Sequence, residues 1–231
     1  MIPVVEQPQP RPPDYDFHRD VHERGEDAIR QLAGLPPLRT WPGPNIKARV
    51  ERIEDVTHSM VRDYPYWTRA MRELHRAYQG YCAYSARYIE PVELPTTDHF
   101  VALRNATDPM LAYTWSNFRL AHALFNGFKS SISDVLDPFE IGDGWFALDF
   151  GSFKTVVGSQ APVKERVAIA RTIEALGLDR RELAATRRRR AEAYWSPPHG
   201  LRPIPFWSLE RDEPFLASEL RRQGRLNPED L

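Results

Sequence analysis

The residues of this chain whose types and spacing could do chemistry are Asp98-His99, Asn117 and Asn126-Gly127-Phe128-Lys129. An imidazole that titrates near neutrality can take a proton from water. A carboxylate and an amide are hard oxygen donors of the kind Mg²⁺ prefers, and Mg²⁺ completes its octahedral shell with water and phosphate. The set therefore suits metal-assisted hydrolysis of a phosphodiester. On this reading Asp98 and Asn126 ligate Mg²⁺ (or Mn²⁺), His99 is the general base, and Asn117 holds its ring. Lys129 and Arg104 are the cations for nucleic-acid contacts. Each residue also has an ordinary reading. His99 could be a structural histidine, Asn117 a helix cap, Asn126 before Gly127 a turn, and Lys129 a solvated helix residue. The ordered set carries the chemical reading; no single member does.

Geometry constrains the elements that would hold this set. Neighbours on a regular strand point to opposite faces, so Asp98 and His99 can share a site only at a strand end or a bulge. The stretch from Tyr81 to Phe100 reads as a β-hairpin through Tyr84, Tyr88, Ile89 and Val92, followed by a loop from Val101 to Pro109. A short helix is expected to open near Asn126. Upstream, Trp67, Met71, Leu74 and Tyr78 recur at three- and four-residue steps within a helical region, 45–79, that Pro65 interrupts, and Gly80 stands where a helix stop is expected. Trp145 to Phe150 reads as a strand. Val163 to Tyr194 reads as a helical region split at Gly177-Leu178-Asp179, with Asp179 as N-cap of its second half. A last short helix is expected from Ala217 to Gln223.

The ends are rich in proline. Nine prolines fall between Pro3 and Pro44, which reads as an extended arm with one helix from Asp16 to Leu32. The chain from Ser196 onward is proline-rich again. The expected organisation is α+β, with a small ββα core in a mainly helical domain: an arm over 1–44, a helical lead-in and core over 45–160, and a helical extension over 161–231.

Composition sets the bounds. The 231 residues are 42% hydrophobic with six Trp, enough for a real core, and 31 Lys and Arg against 32 Asp and Glu leave a net charge of −1. Free, tight binding to nucleic acid by charge alone is therefore not expected. One cysteine, Cys82, excludes an internal disulfide and a thiolate zinc site of its own. No signal-like N-terminus and no apolar run of about 20 residues is present, so a cytoplasmic protein without a membrane partner is expected. Phosphate-cradling glycine loops, nucleophilic triads and dinucleotide motifs are absent from the sequence.

The ordered pieces Cys82-Ala83-Tyr84-Ser85, Thr97-Asp98-His99-Phe100, Leu111 to Leu120 with Trp115-Ser116-Asn117-Phe118, and Asn126-Gly127-Phe128-Lys129 resemble the HNH endonuclease family. Within it the chain is similar to the bacterial branch with C-A-Y-C, D-H-F, W-x-N-L and C-N-x-x-K motifs and a helical tail. The resemblance spans Trp67 to Trp195. It implies a ββα-metal nuclease in which Asp98 and Asn126 bind the metal, His99 is the base and Asn117 orients it. It also implies DNA as substrate, with RNA left open. The partner it implies is an SMC- or ABC-like ATPase in a phage-defence complex. Departures are visible. The branch's two C-x-x-C pairs, which hold a structural zinc, correspond here to Cys82 with Ser85 and His122 with Phe125. Only Cys82 and His122 remain of a tetrahedral set, so no structural zinc is expected. Val101-Ala102-Leu103-Arg104 replaces the family's continuation after D-H-F. A rival reading follows from these losses: a catalytically inactive HNH-like subunit that docks onto a larger complex. The run Arg187 to Arg190 reads as a phosphate stripe or, with Glu182 and Glu192 on the same helix, as a solvated face.

Overall fold

Phe17, Val21, Ala28, Ile29 and Leu32 lie on one helical face and are all buried. In the computed structural model, which describes residues 1–93, 95–196 and 202–231, a wide helical turn (His18–Glu23) runs directly into α1 (Arg24–Leu32). The helix expected from Asp16 to Leu32 is therefore present. The proline-rich segment that follows is bound to it. Asp27, fully buried, accepts from the Leu38 backbone at 2.6 Å and from the Trp41 indole at 2.7 Å. Gln31 accepts from Ile46 N at 2.8 Å. Prolines remove donors from this stretch, and side chains of α1 supply the partners its remaining N–H groups need.

The described residues form a mixed helix-and-sheet protein with eight α-helices and two two-stranded sheets. The chain divides into two compact units that interleave along the sequence rather than following one another. One comprises Glu6–Gly80 with Pro95–Ala121, and the other Met1–Val5, Tyr81–Leu94 and His122–Leu231.

The first unit contains α1, α2 (His58–Arg62), α3 (Met71–Ala77) and β1 (Pro95–His99) paired with β2 (Phe118–His122), of which all but the last residue fall in this unit. Thr96 Oγ1 donates to Ala121 O and Phe100 N to Asn117 O, so the two strands run antiparallel. Aromatic packing fills its centre. Phe17 meets Trp115 and Phe118 edge-on, at 5.2 and 5.7 Å between ring centroids. Gly25 permits the closest approach in this core: a Cβ there would lie 2.1 Å from the Tyr113 ring. The helical region expected over 45–79 is thinner than its periodicity suggests, since only short turns and α2 precede Pro65.

The second unit contains α4 (Ala123–Lys129), a hairpin of β3 (Phe146–Asp149) and β4 (Lys154–Val157), then α5 (Arg166–Ala175), α6 (Arg181–Trp195), α7 (Phe206–Asp212) and α8 (Pro214–Arg222). Phe146 pairs with Val157 and Leu148 with Thr155. The open edge of β3 is covered by side chains. Leu148 N donates to Glu219 on α8 at 2.9 Å, and Gln223 donates to Leu148 O at 2.8 Å. The split at Gly177 is real, with φ of +61° at that residue, but α6 begins at Arg181 behind Arg180 and no side chain caps it. Asp179 is therefore not its N-cap.

Two expectations shift. The stretch from Tyr81 to Phe100 is no continuous hairpin among the described residues. A single antiparallel bridge joins Tyr81 to Tyr88, a 3-10 turn covers Pro91–Glu93, and β1 starts only at Pro95, because two prolines cannot donate to a ladder. The proline-rich stretch after Ser196 falls, for residues 197–201, outside the described residues, and α7 begins soon beyond it.

Candidate active site

β1 ends at His99, so Asp98 and His99 stand at a strand terminus. Asp98 is 3% exposed, whereas His99 is only half-buried. The His99 ring stands edge-on between Trp67 (5.0 Å) and Phe118 (5.2 Å), and its Nε2 lies 3.1 Å from Ala112 O. A carbonyl only accepts, so Nε2 carries a hydrogen there. Three contacts thus hold the plane of the imidazole. The sequence offered no signal for two of them, since the acceptor is a backbone oxygen of an alanine and Trp67 lies 32 positions upstream.

Asn117 is buried at the end of the turn before β2. Its Oδ1 accepts from Val101 N at 2.8 Å, and its Nδ2 donates to Val101 O (3.2 Å) and Leu111 O (3.0 Å). The amide therefore ties the segment leaving β1 to the segment carrying Ala112. Leu111 O accepts from Asn117, and the next carbonyl, Ala112 O, accepts from the His99 ring. Arg104 is exposed on a 3-10 turn within the same unit.

Asn126 and Lys129 belong to the other unit, on α4. Asn126 is half-buried and Lys129 fully buried. A phosphate contact through Lys129 therefore requires the chain to open there. His122 precedes α4 as its N-cap, its Nδ1 accepting from Leu124 N at 3.1 Å. Beside it, His122 N donates to Cys82 Sγ at 3.5 Å. The two stretches that correspond to the family's cysteine pairs are thus neighbours within this unit. His122 Nδ1 is already engaged in the cap, and Phe125 packs edge-on against Phe128. Among the described residues no three His, Cys, Asp or Glu side chains come together as a metal site.

The arginine run is neither of its two expected forms. Arg187 is buried, donating from Nη1 to Thr155 Oγ1 and Leu178 O, both at 3.0 Å, with its guanidinium 5.1 Å above the Phe215 ring. Burial pulls its pKa down to about 10. Arg188 is exposed and lies over Phe153, and Arg190 is near Asp212. A helix turns each successive residue by about 100°, so four adjacent arginines cannot share one environment. Close by, Glu213 is buried and pairs with Arg87 Nε at 2.8 Å, and burial raises its carboxyl above the ordinary range.

Compared with family models, curated proteins and solved structures, the chain matches none of them. The resemblance to HNH endonucleases is therefore carried by the motif residues alone.

Proposed function

We propose that this chain is a divalent-metal-dependent nuclease that hydrolyses phosphodiester bonds, with His99 as general base. The observation that carries the proposal is the fixed imidazole. Its Nε2 is committed to Ala112 O, its ring meets Trp67 and Phe118 in edge-on contacts, and it stands at a strand end next to Asp98 in the chain. The chain order strand, strand, helix through β1, β2 and α4 is the order a ββα-metal core needs. Asp98 and Asn126 are both hard oxygen donors, and two such protein ligands are what Mg²⁺ usually takes before water and phosphate fill its shell. A cation taken by such donors would supply charge stabilisation at the reacting phosphate and the leaving oxygen.

The part played by this chain's own residues follows from that. Water attacks phosphorus, its proton passes to the His99 imidazole, and the bond to the leaving oxygen breaks. Asn117 keeps the loop and the Ala112 carbonyl in register, so the ring meets the water without reorganising. DNA is the proposed substrate. With a net charge of −1, the affinity for it would come from a partner in a larger assembly, of which an ATPase in a phage-defence complex is the proposed example.

The test is cleavage of supercoiled plasmid and of structured RNA with Mg²⁺ or Mn²⁺, comparing the chain with His99→Ala and Asp98→Asn. Metal-dependent cleavage lost in both variants, with far-UV circular dichroism unchanged, supports the proposal. Equal cleavage by chain and variants would refute the assignment. No cleavage with or without an ATPase of the proposed kind present would leave the docking subunit as the better reading.

A further inference from the structure

A cavity of about 330 Å³ lies within the second unit, lined by Ser85, His122, Phe125, Phe128 and Arg180 among others. Three of these, Ser85, His122 and Phe125, occupy positions where the resembling chains carry zinc ligands. Its volume is at the small end of the range for ligand pockets, about 300–1,000 Å³, which suits one nucleotide-sized molecule rather than a strand.

The walls combine flat apolar surface with hydrogen-bond donors. Phe125 and Phe128 contribute aromatic surface, and Tyr88 lines the same space. The Arg180 guanidinium lies 3.8 Å from the centroid of Phe128. The backbone prepares this placement: a Cβ at Gly177 would stand 2.5 Å from Arg180 Nε, so only glycine lets the arginine lie there. Among the described residues Arg180 has no carboxylate partner, whereas Arg87, the cavity's other guanidinium, is neutralised by Glu213. His122 adds a second donor. Its Nδ1 is occupied as acceptor from Leu124 N, so the neutral ring carries its hydrogen on Nε2. Ser85 Oγ accepts from Arg87 N at 3.4 Å, which leaves its O–H to donate. The carboxylates Glu93 and Glu182 also line the cavity, acceptors suited to the amino groups of a base.

We infer that this cavity binds a nucleoside monophosphate unit, with the base against the aromatic wall to which Tyr88 and Phe128 contribute and the phosphate held by Arg180 and His122. Aromatic faces bind any base through stacking, and a planar guanidinium pairs with phosphate oxygens in bidentate fashion. The unit could come from a free mononucleotide or from a nucleotide splayed out of a strand. The second source rests on the nuclease reading; binding of the free mononucleotide does not.

The probes are the four deoxynucleoside monophosphates and their phosphate-free nucleosides, titrated by calorimetry and saturation-transfer NMR against the full chain. The variants are Arg180→Met and His122→Asp; aspartate keeps a cap acceptor for Leu124 N while replacing the donor with a carboxylate. The expected result is saturable binding of monophosphates at least tenfold tighter than of nucleosides. Each variant should lose at least tenfold in affinity with an unchanged melting temperature. No saturable binding, or equal binding by chain and variants, overturns the inference. Competition between a monophosphate and a single strand carrying 2-aminopurine assigns the splayed source, and binding without competition assigns the free nucleotide. His99→Ala separates the two claims: it should abolish cleavage and leave monophosphate binding intact, so either claim can fail without the other.

Discussion

Asn117 is the residue on which the candidate site's geometry turns, and replacing it gives a graded test. Asn117→Ala removes three hydrogen bonds, to Val101 N, Val101 O and Leu111 O. At about 1 kcal/mol net for each, the upper figure is about 3 kcal/mol. Val101 is 40% exposed, so water can reach its freed groups and bring the expected cost down to about 2 kcal/mol. Asn117→Asp is the sharper change. It keeps an acceptor for Val101 N but turns a donor toward two carbonyls into a third oxygen, so at pH 7.5 it should cost at least as much as alanine. A carboxyl placed there favours its protonated form, which can donate to one carbonyl, so its folded pKa lies above its unfolded one. In that case the folded state binds more protons, and the stability of Asn117→Asp should rise relative to Asn117→Ala as pH falls from 7 toward 4. Urea midpoints at several pH values, with slopes compared, measure this. An aspartate variant as stable as the parent at pH 7.5, or a gap to alanine that ignores pH, would refute the hydrogen-bond assignment. The same variants should shift the His99 ring signals in an NMR titration, because Leu111 and Ala112 are adjacent.

Three further outcomes follow from the packing. Arg187→Met, which deprives Thr155 and Leu178 of a charged donor, should cost about 2–3 kcal/mol in urea denaturation, whereas Arg188→Ala on the exposed side should stay within about 0.5 kcal/mol. Gly25→Ala drives a methyl into the Tyr113 ring and should cost about 1–3 kcal/mol through overpacking; a neutral result would mean α1 is free to move off Tyr113. For Glu213, burial raises the folded pKa above the ordinary 4.5, so the folded state binds more protons in that window. The parent should therefore lose stability relative to Glu213→Gln as pH rises from 4.5 through the raised value, as denaturation across pH 4 to 8 would read.

Part of this architecture was legible in the sequence, where prolines bracket a helix or large apolar residues cluster in a short run. The helix expected from Asp16 to Leu32 between proline-rich stretches is present, and the stretch Trp145 to Phe150 contains β3. β2 was not foreseen, because Phe118 to Ala121 are all buried and a strand buried on both faces shows no alternation. β4 is only four residues long, too short for a period. The Asp98-His99 pair could be placed at a strand end from stereochemistry alone. What orders the imidazole could not be placed, because Ala112 acts through its carbonyl and Asn117 acts on Val101 and Leu111 rather than on the ring. Arg187 shows the same limit: four identical side chains in a row do not say which one points inward.

The cover that α8 places over β3 has a consequence for how the C-terminal part of the chain opens. Because Glu219 and Gln223 take up both polar groups of Leu148, the outer edge of the hairpin is closed by a helix's side chains instead of a third strand. The Leu148 amide then cannot exchange with solvent until α8 lifts, although it belongs to a strand 71 residues earlier. Hydrogen exchange at that one amide should follow the protection of the α8 backbone rather than that of its strand neighbours, so that helix and hairpin form a single cooperative unit. The closed edge is also denied to other chains, since a strand approaching β3 from that side meets a carboxylate and an amide already engaged.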